Sequence, residues 1–167
     1  IKEQQAKRVP KPLISGRKLL FLGKEYIFTP RQGPNKIFIQ GEELLLYTLD
    51  PDHIHSELVQ WYKEQGTAYI NKRLEVLIPQ IGVSPRKIGI KEHKRQWGSC
   101  TSKRSIYINW KIIMAPPEII DYVLIHELCH LKQMNHSPAY WQEVARHQPD
   151  YENHRRWLRE NGLELTI

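Results

Sequence analysis

Nothing in this chain is apolar for long enough to cross a bilayer, which takes ~20 consecutive residues in a helix. Apolar runs such as Tyr122–Ile125 are far shorter, and that one ends at a histidine and a glutamate. Cysteine is scarce. Cys100 and Cys129 are the only two, too few for a disulfide framework, and two reduced thiols are expected rather than one bridge. The polar, basic N-terminus has no signal-peptide core, so a cytoplasmic location is the expectation, with no membrane partner. There is no internal repeat, low-complexity segment, flexible linker or Gly-rich phosphate loop. Among 167 residues, 40% are hydrophobic and 26% charged, with a net charge of +7. That composition belongs to a folded globular chain of one domain. The positive balance would suit a nucleotide or nucleic acid. No basic run is long or interleaved with aromatics, however, and a solvated basic surface is the plainer reading.

The order of patterns predicts an α+β domain over residues 1–167. Residues 1–50 read as β-rich: Leu19–Phe21, Tyr26–Phe28, Lys36–Ile39 and Leu44–Tyr47 are short apolar or alternating runs. Turn formers at Gly23, Pro30, Gly33-Pro34-Asn35 and Gly41 separate them, predicting a small antiparallel sheet. Residues 51–80 carry Leu58, Tyr62, Ile70, Leu74 and Leu77 at helical spacing, with Asp50 or Asp52 as the cap and Pro79 as the stop. Gly66 should weaken that helix by about 1 kcal/mol relative to Ala. Residues 86–160 hold two strand-like segments, Arg86–Lys91 and Ser105–Asn109. They are followed by a largely apolar helix from Pro116 or Pro117. Ser137-Pro138 and Pro149 open two further helices, the last ending at Gly162.

The chemistry lies in His126-Glu127-Leu128-Cys129-His130. On a helix, residues four apart share a face, so both imidazoles can reach one ion. Zinc suits imidazole nitrogen. Glu127 is rotated about 60° from His130 around the helix axis, so it can lie beside the ion and take a proton from water there. A catalytic zinc takes three protein ligands and keeps one position open. His136 is the third candidate. In an unbroken helix it would point to the far side, about 9 Å further along. The helix must therefore end between them, with Asn135 able to adopt the left-handed conformation and Ser137-Pro138 starting the next helix. Cys129 reads as a small core residue. His53, His55, His93 and His147 read as surface histidines.

The stretch Trp97-Gly98-Ser99-Cys100, then Ile108-Asn109-Trp110, Ala115-Pro116-Pro117 and Asp121-Tyr122-Val123 resembles the YgjP-like metallopeptidase domain family, related to the SprT-like zinc proteases. The likeness continues through His126–His130, Asn135-His136-Ser137 and Trp141, covering about 91–158. It implies a zincin-type fold, an active-site helix beside a sheet, with one Zn²⁺ per chain held by His126, His130 and His136. The family's arginine before Trp-Gly-Ser-Cys is Gln96 here, with Arg95 one residue earlier, so any substrate-binding role of that arginine has moved or is absent. The resemblance also suggests Ser105–Asn109 as an edge strand that pairs with an extended peptide. Asn109, Trp97, Ser99 and Arg95 are candidate substrate contacts, and Tyr151 and His154 candidate donors to a developing oxyanion.

The leading expectation is a zinc peptidase acting on a peptide or protein, with Glu127 as catalytic base. One alternative is metal-dependent nucleotide pyrophosphatase activity, suggested within this family, with Lys91, Lys94, Arg95, Lys103 and Arg104 neutralising a triphosphate. The other is a non-catalytic zinc or nucleic-acid-binding module, although a structural site normally has four protein ligands and no fourth is evident.

Overall fold

The computed structural model describes residues 12–167, so the first eleven positions of the expected β-rich segment lie outside the described residues. Four strands come first: β1 Lys18–Phe21, β2 Lys24–Gln32, β3 Lys36–Gln40 and β4 Glu43–Thr48. Their sheet order is β1-β2-β4-β3. The expected antiparallel sheet is in fact mixed. β1 and β2 form a hairpin, as do β3 and β4, but β2 and β4 run parallel. Sequence alternation locates strands without saying which neighbour each will choose, because pairing partners are set by contacts far apart in the chain.

A 3₁₀ turn at Pro51–His53 leads into α1, Ile54–Ile81. Asp50 caps the turn by accepting from the Asp52 amide at 3.1 Å. The helix does not stop before Pro79. It carries that proline in its last turn and ends at Gly82, which is left-handed with φ 78°. Gly66 is buried against the carbonyl of Trp110, where an added Cβ would lie 2.8 Å from the oxygen. Its bareness lets α1 approach the 3₁₀ segment Trp110–Met114 closely.

The second sheet has β5 Lys87–Lys91, β6 Gly98–Cys100 and β7 Ser105–Asn109 in the order β5-β7-β6. β6 falls between the two strand-like segments that the sequence shows. It is too short to show alternation. β5 pairs parallel and β6 antiparallel with β7. Three helices follow: α2 Pro117–Cys129, α3 Pro138–His147 and α4 Tyr151–Asn161. The last runs into a 3₁₀ turn at Gly162, whose φ of −56° is right-handed, so the expected glycine stop is a tightening instead.

α2 is the axis of the molecule. Every residue from Tyr122 to Cys129 is buried, His126 and Glu127 included. Arg73 of α1 donates two bonds to the Asp121 carboxylate, at 2.9 and 2.8 Å, joining the two helices. The turn between β1 and β2 reaches the start of α2: the Leu22 and Gly23 amides donate to the Ile113 and Met114 carbonyls at 2.8 and 3.0 Å. One hydrophobic cluster runs from Leu19 and Phe28 through α1 to Ile106, Leu124 and Leu158. No helix among the described residues is long and apolar enough to cross a membrane.

Candidate metal centre

The end of α2 and the turn after it bring three histidines together. The helix stops at Cys129 with right-handed His130 as its C-cap. Successive amides then bond three residues back, Leu131 to Leu128 and Lys132 to Cys129, both at 3.0 Å. This tightening replaces the left-handed Asn135 expected from sequence. Among the described residues only Leu22 and Arg104 combine a side chain with positive φ. Arg104 donates to the carbonyls of Leu131 and Ser84 at 3.2 and 3.0 Å, setting a cation where the α2 dipole is negative. The Lys132 ammonium donates to Glu143 of α3 at 2.7 Å. Ser137 begins α3 as expected, its hydroxyl accepting from the Tyr140 amide at 3.4 Å.

In this arrangement one ring nitrogen from each of His126, His130 and His136 lies within 4.8 Å of the others. The His126 and His136 Nε2 atoms are 3.4 Å apart. His130 Nδ1 lies 3.0 Å from the Gln133 carbonyl, which can only accept, so the proton sits on Nδ1 and Nε2 keeps its lone pair. His126 Nδ1 faces the Tyr122 hydroxyl at 3.4 Å. Burial holds all three imidazoles below their ordinary range, and His126 is taken down to about 2, with His130 and His136 adding to it. Neutral rings with exposed lone pairs are what a borderline-soft divalent cation requires. The donor set fits such an ion.

Residues from α3 frame the rings. Tyr140 stacks on His130 at 4.4 Å and 18°, and its hydroxyl donates to the His126 carbonyl at 2.8 Å. Trp141 lies parallel to His136, 5.6 Å between centroids, and also stacks on Tyr151. Arg155 of α4 sits 5.0 Å from the Trp141 ring. Sequence gives Tyr140 no part in the site and Trp141 a place only in the family resemblance. Their signal was position: they follow Ser137 by three and four residues, one turn past the cap.

Glu127 is 2% exposed, and burial pushes its carboxyl up to about 7. It packs against the backbone of Gly98, so β6 lies directly beside the α2 carboxylate. The strand expected at the sheet edge, Ser105–Asn109, is instead the central one; β6 is the edge that meets α2.

The other candidates are dispersed. Asn109 is fully buried and its side chain serves the chain itself, accepting from the Lys111 amide and donating to the His93 and Gln96 carbonyls. Trp97 and Trp110 are core residues at 1% and 2% exposure. Ser99 is half-buried on β6, and Arg95 is exposed on the loop before it. Tyr151 stacks on Trp141 and its hydroxyl turns to Glu152. The His154 ring packs beside Tyr122, 6.3 Å away. Of the basic residues considered for a triphosphate, Arg104 is occupied by carbonyls and Lys91 lies over Tyr107. Cys100 and Cys129 are free thiols, which burial raises to about 11 and about 12. His147 is not a free surface residue, since it packs against Glu143 at 3.1 Å.

Two solved metallopeptidase zymogens are similar to this chain. Abylysin from Pyrococcus abyssi is 23% identical with a TM-score of 0.48, the match covering 55% of this chain and 93% of that one. Jannalysin from Methanocaldococcus jannaschii is 19% identical with a TM-score of 0.47, covering 52% of this chain and 90% of that one. No curated protein matches the chain. The model of the family described as YgjP-like, metallopeptidase domain, matches residues 1–161, nearly the whole length, and the chain therefore belongs to the YgjP-like metallopeptidase family.

Proposed function

We propose that this metallopeptidase holds one zinc ion through His126, His130 and His136 and cleaves peptide bonds with Glu127 as the general base. The observation that carries this reading is the convergence of three neutral imidazoles within 4.8 Å at the end of the helix that also bears a buried carboxylate. A bound ion supplies Lewis acidity, polarising a carbonyl and lowering the pKa of water. The chain's own residues do the rest. His130, oriented by the Gln133 carbonyl, and His126, fixed between Tyr122 and Tyr140, present their lone pairs without rearrangement. Glu127 takes a proton from the attacking water and returns it to the leaving amine. Its carboxyl is pushed up to about 7 by burial; a cation beside it pulls that value back down, so it stands ready as carboxylate near neutrality. β6, the edge strand beside Glu127, is the place for an extended peptide to add to the sheet.

Glu127→Gln should leave zinc binding intact and lower peptide hydrolysis by roughly 10²–10⁴-fold, the usual contribution of a positioned proton-transfer group. Zinc analysis and cleavage of labelled casein on the same preparations check both halves. Native activity in Glu127→Gln would remove the base from the account. His136→Ala and His126→Ala should each lose the metal, and undiminished zinc in His136→Ala would exclude it as a ligand.

A further inference from the structure

Gly98 stands where β6 meets the side chain of Glu127. A Cβ placed on it would meet Glu127 Cγ at 2.8 Å, Cδ at 3.2 Å and Oε1 at 3.1 Å. Gly98 is not among the glycines with positive φ, so space rather than backbone conformation calls for glycine here. The strand side has no room to yield, so the Glu127 side chain must. Gly98 pairs with Ile108, which is fully buried. The preceding residue is pinned as well: the Asn109 amide donates to the Trp97 carbonyl at 2.8 Å. The Asn109 side chain donates to the Gln96 and His93 carbonyls at 3.1 and 3.0 Å, fixing the loop that enters the strand.

We propose that Gly98 is a positioning residue for the reaction: the bare β6 backbone is the wall that sets where the Glu127 carboxylate stands. This rests on the reading of Glu127 as the base. A methyl group at 98 turns Glu127 about its side-chain bonds and carries the carboxylate away from its working position. A misplacement near 1 Å costs about 100-fold in rate. Gly89 supplies the control. It lies in β5 of the same sheet, and a Cβ there would meet Tyr107 at 2.6 Å, a comparable crowding away from the carboxylate.

The test compares Gly98→Ala and Gly89→Ala with the unaltered chain, all zinc-loaded, on a quenched-fluorescent peptide that the unaltered chain cleaves. Gly98→Ala should keep about one zinc per chain and its KM, and lose about 100-fold in kcat, while Gly89→Ala keeps its kcat. Thermal unfolding of the metal-free proteins tests the contact without catalysis. In a Glu127→Ala background, where Cγ is gone, Gly98→Ala should lower Tm by roughly half or less of what it does in the native background. If Gly98→Ala alone fails to fold, its recovery in that background reports the same contact. Equal Tm losses in both backgrounds, native kcat in Gly98→Ala, or an equal kcat loss in Gly89→Ala would each overturn the proposal. Failure of the base assignment looks different: Glu127→Gln keeps cleaving while the coupling between 98 and 127 persists.

Discussion

At the scale of single residues, the His-Glu-x-x-His spacing was legible because a helix converts four positions into one face with no help from the rest of the chain. The groups that hold the rings still were not legible, because they come from another helix. Tyr140 is the clearest case, giving a stacked ring to His130 and a hydroxyl to the His126 carbonyl. Tyr140→Phe keeps the ring and removes the donor, leaving a buried carbonyl short of one partner; it should cost about 1–3 kcal/mol, read by urea denaturation, with zinc retained. Glu143 has a comparable place under the ligand loop. The Lys132 ammonium beside it, then His147 and Arg146, hold its carboxyl below the ordinary 4.5. A depressed carboxyl contributes stability that is fully present above its unfolded value and is lost as pH falls through the folded one. Native stability should therefore decline as pH drops below about 4.5, and Glu143→Gln should flatten that acid limb while lowering stability at neutral pH. An unchanged acid limb in the variant would remove Glu143 from this role.

At the scale of elements, long periodic segments were read correctly in kind, and errors gathered where three-dimensional contacts overrule local preference. Gly66 is the instructive one. Propensity alone calls it a defect, and Gly66→Ala should then stabilise α1 by about 1 kcal/mol. The close approach of the Trp110 carbonyl, 2.8 Å from where a Cβ would stand, reverses the sign. Overpacking against backbone costs typically 1–3 kcal/mol, so Gly66→Ala is expected to lower Tm, and a rise would show that α1 can withdraw. The three residues of β6 and the parallel pairing of β2 with β4 escaped sequence reading for a related reason. Both are decided by partners distant in the chain, and neither leaves a periodic mark.

At the scale of the whole molecule, the N-terminal sheet and the histidine-bearing half share one core and are tied by backbone bonds at Leu22 and Gly23. Gly23 lies against Pro116, the residue just before α2, with room for no side chain: a Cβ would stand 2.9 Å from its Cα. The chain should accordingly unfold in one cooperative transition. Zinc should move that transition upward as a whole, by about 2.7 kcal/mol at a free concentration 100 times Kd. Calorimetry with and without metal checks this. Two separated transitions, with only the second responding to zinc, would mean that the halves fold apart.

The stacking of Trp141 on His136 has a practical corollary. An indole in contact with a histidine of the proposed metal centre is a fluorophore placed at the binding event. Copper(II) or cobalt(II), whose open d shells drain excited-state energy over short distances, should dim its emission stoichiometrically as they enter. Trp141→Phe should remove most of that response while the other four tryptophans continue to glow. Occupancy can thus be followed by light alone, in the unlabelled chain and with no substrate present.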